Sequence, residues 1–320
     1  MKKIYNPKPE SWSELLKRPT QTIADVETTV NQIFSEIKLK GDTAVKKYTQ
    51  LFDGISIESL LVSKNEIETA EKETSEELKN AINLAKANIE KFHSAQKTER
   101  ITVETTEGVV CWQEKRAIQK VGLYIPGGTA PLFSTVLMLA IPANIAGCKE
   151  IILCTPPDKN GKINPAILYT ATLCGVTKIF KIGGIQAIGT MTFGTESIPS
   201  VYKIFGPGNQ FVTVAKQIAT KHGVAIDMPA GPSELLVFAD DTANASFVAS
   251  DLLSQAEHGA DSQVVLVTTS EKLLNSVEKE VEEQLQQLPR KAIAEKAIAN
   301  SQLILIESNS EAINLINEYA

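Results

Sequence analysis

Three side chains on one predicted helix hold the densest chemistry in the sequence. Asp251, Gln255 and His258 recur at i, i+4 and i+7 within a segment predicted helical from Ala245 to His258, so they share a face. Gln255 and His258 put an amide oxygen and an imidazole on one helical turn, a pair able to ligate one cation. The plainer alternative is a polar helix end, with His258 at the dipole-favoured carboxyl terminus and Gly259 after it. A complete metal shell would need ligands from elsewhere. His93, beside Phe92, and His222, just before Gly223, read as ordinary helix residues.

A second group is made of loops. Tyr124–Thr129, Gly183–Gln186, Gly206–Asn209 and Pro229–Glu234 are glycine-rich or polar, and each adjoins a β-rich run. Glycine lets backbone come close to a ligand and frees N–H groups for phosphate or carboxylate oxygens. Taken singly, each is a tight turn, and Asn209 is a helix N-cap. None matches G-x-G-x-x-G or the P-loop. Four of them at one sheet edge would be a binding rim. Cys111, Cys148, Cys154 and Cys174 lack C-x-x-C spacing and read as small buried hydrophobes in a reducing compartment.

Elements to position these groups are legible in the hydrophobic periods. Ile23, Val26, Val30, Ile33 and Ile37 make one apolar helix face, and Leu78, Ile82, Ala85, Ile89 and Phe92 another. Ser63/Glu66, Thr74/Glu77 and Ser308/Glu311 stand in capping-box register. Alternation around Gly108 predicts a hairpin over 101–115. From about residue 120, β-rich runs (Val121–Ile125, Ile151–Cys154, Lys178–Ile182, Tyr202–Phe205, Leu235–Phe238, Val264–Thr268, Leu303–Ile306) alternate with helices, which predicts parallel sheets. In open sheets of this kind ligands bind beyond the carboxyl ends of the strands, where the four loops fall.

The 320 residues hold 32 Lys and Arg against 38 Asp and Glu, so the net charge is 32 − 38 = −6. That balance excludes a general affinity for nucleic acid or an anionic membrane. Residues 121–148 are uncharged, but Pro126, Gly127, Gly128, Pro131 and Pro142 break the stretch, so it is no membrane span. The first residues carry two lysines without an apolar stretch after them, unlike a signal peptide, and a cytoplasmic location is expected. Three parts are expected: an arm over 1–20, an α/β domain of 21–120 with 235–320, and a Rossmann-like domain of 121–234.

Several long motifs, in order, resemble the histidinol dehydrogenase family. They are the stretch 121–148 from Val-Gly-Leu-Tyr-Ile-Pro-Gly-Gly to Ala-Gly-Cys, Phe-Gly-Pro-Gly-Asn-Gln-Phe-Val-Thr from 205, Ile-Asp-Met-Pro-Ala-Gly-Pro-Ser-Glu from 226 and Leu-Ser-Gln-Ala-Glu-His-Gly from 253. The resemblance implies two Rossmann-like parallel-sheet units with a helical N-terminal region. It implies a zinc-containing homodimer that oxidises L-histidinol through L-histidinaldehyde to L-histidine while reducing two NAD. Tyr124, Gln186 and Asn209 match NAD-contacting positions, Ser233 a substrate contact, and Gln255 and His258 two zinc ligands that also touch substrate. The family's catalytic Glu and His, and two further zinc ligands, would follow Ala320, in a chain longer by roughly a quarter to a third. The C-terminal part of the family fold, and the catalytic bases with it, is thus expected to be absent here, leaving these 320 residues inactive. Two rival expectations are a paralogous NAD-dependent dehydrogenase acting on another alcohol, such as a sulfonated diol, and a non-catalytic NAD-binding remnant.

Overall fold

The computed structural model describes residues 1–17, 23–128, 130–229, 234–260 and 262–319. The chain forms two compact units, Ile23–Ala230 and Met1–Thr22 with Gly231–Ala320. In chain order the strands are β1 (Lys2–Tyr5), β2 (Ile101–Thr106), β3 (Val109–Gln113), β4 (Lys120–Tyr124), β5 (Glu150–Thr155), β6 (Lys178–Lys181), β7 (Lys203–Phe205), β8 (Ala225–Ile226), β9 (Glu234–Ala239), β10 (Gln263–Thr268) and β11 (Gln302–Leu305).

In the unit 23–230, β4 to β8 build a parallel sheet in the order β6-β5-β4-β7-β8. The chain winds one way from β4 through β6, then returns to the other side of β4 for β7. Tyr124 pairs with Cys154 and Leu123 with Phe205, so the loops after β4 and β7 diverge at that reversal. The crossover helices Phe133–Ala146, Pro165–Leu173 and Gly184–Phe193 hold no charged residue. Helices apolar on all sides must be covered on all sides. Helix Ile23–Lys40 packs on Gly184–Phe193 and Gln210–Thr220, helix Lys64–Glu73 on Pro165–Leu173, and helix Glu76–Ser94 on Phe133–Ala146. Two apolar clusters result, one joining Val30, Phe34 and Ile37 to Phe180 and Ile188, the other joining Ile82 to Leu123, Leu137 and Leu153.

This differs from the expected division. The helical stretch 23–94 belongs with the five-stranded sheet rather than with 235–320, because its apolar stripes cover that sheet's uncharged crossover helices. Nor is the N-terminus a free arm: β1 pairs in parallel with β11, and Trp12 and Leu16 are buried with Val265, Ile304 and Tyr319.

The second unit's sheet runs β1-β11-β10-β9, all parallel. One cluster holds Leu252, Val264, Leu274 and Leu303; the other is the Trp12 and Tyr319 cluster.

The Ser63/Glu66 capping box forms. The next helix is capped one residue later than expected: Ser75 accepts the Leu78 N–H, while Thr74 donates its hydroxyl to Ala70 O, closing the preceding helix. The hairpin forms as β2 and β3 with every residue exposed, and it carries Cys111 to the surface. Cys154 and Cys174 are buried, as expected, and Cys148 is half-buried. Among the described residues no helix is long and apolar enough to cross a membrane.

Candidate functional site

The reversal of winding in the unit 23–230 opens a cavity of about 860 Å³. Tyr124, Gln186 and Asn209, singled out on three separate loops, all line it. Each is held by a contact that its local sequence explains.

Tyr124 ends β4, and its buried hydroxyl accepts the Gly184 N–H at 3.1 Å. Burial, reinforced by the Asp53 charge, pushes this phenol up to about 12, so its O–H proton stays in place for donation to a ligand. Gly184 needs its own residue type, since its φ is +61° and a Cβ would stand 2.9 Å from Gln186 Oε1. Gln186, fully buried, donates Nε2–H to Asp53 Oδ2 at 3.3 Å, and its Oε1 has no partner in the protein. A buried acceptor without a donor costs about 1–3 kcal/mol, which a ligand's N–H or O–H would offset.

Asn209 caps helix Gln210–Thr220, its Oδ1 accepting the Val212 N–H at 3.1 Å. The loop before it is clamped. Lys216 Nζ, nearly buried, donates to Gly206 O at 2.7 Å and forms an ion pair with Asp227, which accepts the Gly206 N–H at 2.8 Å. Gly206 has a φ of +131°, and a Cβ there would lie 2.1 Å from Tyr124 O. The β4 and β7 loops are thus in direct contact, and no side chain fits between them.

Aromatic and proline surfaces (Phe52, Phe211, Pro126, Pro156) complete the wall. Starts of the helices at Gly184 and Gln210 bring backbone N–H groups to the rim. Flat apolar walls, N–H groups for phosphate oxygens and an unpaired amide oxygen fit a dinucleotide. Asp53 and Phe52 escaped the sequence reading because they end a helix of ordinary amphipathic pattern, Asp42–Asp53, far along the chain from any glycine loop.

Gln255 and His258 lie in the other unit. The helix Ala245–Ala256 ends before His258, which sits in the following turn, exposed, with its N–H on Gln255 O at 3.2 Å. Gln255 is half-buried with Nε2 unpartnered, and Asp251 is exposed. The pair could supply half of a four-coordinate shell. Among the described residues no group of three or more His, Cys, Asp or Glu could hold a metal. Ser233, and most of the loop Pro229–Glu234, lie outside the described residues.

A doubly wound α/β unit with a glycine-rimmed cavity at its topological reversal defines a Rossmann-like ligand-binding protein. The histidinol dehydrogenase family model matches residues 16–320. The histidinol dehydrogenases of Bacteroides fragilis and Bacteroides thetaiotaomicron are 62% and 60% identical over 320 residues, covering all of this chain and 75% of theirs. The crystal structure of histidinol dehydrogenase from Elizabethkingia anophelis superposes with a TM-score of 0.93 at 57% identity, over all of this chain and 74% of that one. The chain belongs to the histidinol dehydrogenase family, whose members are oxidoreductases, and this membership implies a place in histidine biosynthesis.

Proposed function

We propose that the protein binds NAD in the cavity of the unit 23–230 and takes part in the NAD-dependent oxidation of L-histidinol through L-histidinaldehyde to L-histidine. The observation that carries this reading is the meeting of Tyr124, Gln186 and Asn209 on one cavity wall, with Gln186 Oε1 left unpartnered. In the proposal Tyr124 donates its hydroxyl proton to the dinucleotide, Gln186 accepts a hydrogen bond through Oε1, and Asn209 keeps the helix start and its N–H groups turned to the ligand. NAD, when bound, accepts the hydride. Gln255 and His258 are assigned as two ligands of a zinc ion, which when bound would hold the substrate nitrogens, and Ser233 as a substrate contact. A homodimer in the cytoplasm belongs to the same reading. The family's general bases are not assigned to any of these residues.

Calorimetric titration with NAD+ tests the proposal. The protein should bind NAD+ saturably, and Gln186→Ala should weaken binding about tenfold, the value of one hydrogen bond to a buried group. Absence of NAD+ binding, or an affinity indifferent to Gln186, would overturn the assignment.

A further inference from the structure

The start of helix Asp42–Asp53 is capped from far along the chain. Its N-cap is Gly41, with a φ of +51° and no side chain to offer. The Asp42 N–H donates instead to Glu196 Oε2 at 2.7 Å, a residue 154 positions later. A carboxylate there satisfies an otherwise unpaired helix donor and meets the positive end of the dipole. Ser197 adds a second tie by donating its hydroxyl to Asp42 Oδ2. Only glycine at 41 permits the approach, since a Cβ would overlap the Glu196 carboxylate.

Glu196 stands just beyond the end of helix Gly184–Phe193, which carries Gln186 near its start. The intervening turn is closed by the Gly194 N–H on Thr190 O and the Thr195 N–H on Ile198 O, both at 2.8 Å. The two helices pack on each other, and the end of each is tied beside the start of the other, Asp53 to Gln186 and Glu196 to Asp42. They form a closed frame, with the cavity at one end and the Glu196 cap about 16 Å away along helix Asp42–Asp53. At the cavity end the Gln186 Nε2 to Asp53 Oδ2 distance is 3.3 Å, at the long limit for such a bond. That bond decides which atom of the Gln186 amide is engaged and leaves Oε1 free. A shift of a few tenths of an ångström at the helix end would release the amide to rotate, and a packed helix passes such a shift from one end to the other.

We propose that Glu196 is a positioning residue for the cofactor site. By capping the start of helix Asp42–Asp53 it sets Asp53 at the far end, and through Asp53 the orientation of the Gln186 amide. Glu196 itself does not line the cavity. This rests on the NAD reading given above and adds to it a residue outside the site.

Calorimetric titration with NAD+ in two backgrounds provides the test. Glu196→Ala should weaken binding about threefold in the unmodified protein and add no loss to Gln186→Ala, because the effect travels through Gln186. Loss of a merely stabilising contact would weaken both backgrounds alike. Glu196→Gln keeps an oxygen for the Asp42 N–H and should bind as the unmodified protein does. Gly41→Ala leaves Glu196 in place but drives its carboxylate off the helix start, and should reproduce Glu196→Ala by a second route. If NAD+ binds and is weakened by Gln186→Ala, yet neither Glu196→Ala nor Gly41→Ala shifts affinity, the role of Glu196 is wrong while the NAD site stands. Equal losses from Glu196→Ala in the two backgrounds, or Glu196→Gln binding no better than Glu196→Ala, would overturn it as well. If the unmodified protein binds no NAD+, both readings fail.

Discussion

The two units use one grammar, parallel strands joined by crossover helices, and the cavity of about 860 Å³ belongs to the unit 23–230. In the unit 23–230 the sheet order β6-β5-β4-β7-β8 reverses at β4. In the other, β9, β10 and β11 are added in one direction and β1 closes the far edge. At a reversal, successive connections leave toward opposite faces, so adjacent strand ends part and a crevice opens. Without one, all connections sweep the same way and adjacent strand ends do not part in this manner. A second difference follows. The reversing sheet spends polar side chains on its loop ends (Lys216 and Asp227 on Gly206, Asp53 on Gln186), whereas the other buries Tyr319 Oη on Gln263 Oε1 at 3.2 Å inside its core. Binding capacity comes from where the winding turns back, not from the composition of strands and helices.

Substitutions that close the crevice should hurt most. Gly206→Val combines a Cβ placed 2.1 Å from Tyr124 O with a φ of +131° that valine resists. We expect a loss of about 4 kcal/mol or more, read from urea denaturation, together with loss of NAD+ binding. A stable variant of unchanged affinity would show that the β4 and β7 loops need not touch. Lys216→Met comes next. It leaves Asp227 beside a loop it can no longer neutralise, and should cost about 3 kcal/mol and weaken NAD+ binding about tenfold. Its counterpart in the other unit, Tyr319→Phe, should cost about 1 kcal/mol with NAD+ affinity unchanged. An equal effect of both on affinity would break the distinction between loop clamps and core hydrogen bonds.

How far this contrast could be read in advance depends on the kind of signal. The seven strands read from 121 onward are local, each set by a few residues of hydrophobic pattern, and they stand within a residue of where the periods put them, whereas β8 and the helices 184–193 and 291–299 were not read. The glycine loops signalled the cavity because only glycine permits the approach seen at Gly206. The grouping of 23–94 with the five-stranded sheet was not read, although its cause was visible in the absence of charge from 133–146, 165–173 and 184–193. An uncharged crossover helix demands a further layer, and the amphipathic N-terminal helices were the available cover. β1 was missed because Lys2-Lys3-Ile4-Tyr5 offers a single half-buried apolar side chain, and its strand conformation comes from the β11 ladder. Asp53 carries no local mark at all. Its meaning arises from Gln186, which lies in another helix and meets it only on folding.

The smallest expected effect concerns acid. In the cavity-bearing unit Glu36 takes hydrogen bonds from Lys40, Lys47 and Tyr48, which hold its carboxyl down at about 2 against an ordinary value of 4.5. Its folded pKa is depressed, so the stability it contributes is full above pH 4.5 and is lost as the pH falls from there toward about 2. Asp53 acts with the opposite sign: its pKa is raised, so protonating it relieves a cost and partly offsets the loss. In the other unit Asp240 is also lowered, by the Thr242 hydroxyl and N–H, without any cation. Glu36→Gln should therefore flatten the fall of thermal midpoint with acid more than Asp240→Asn does, while neither alters the midpoint's trend near neutrality. Equal flattening by the two would mean that the lysines around Glu36, exposed as they are, add nothing in solution to what a neutral hydrogen bond provides.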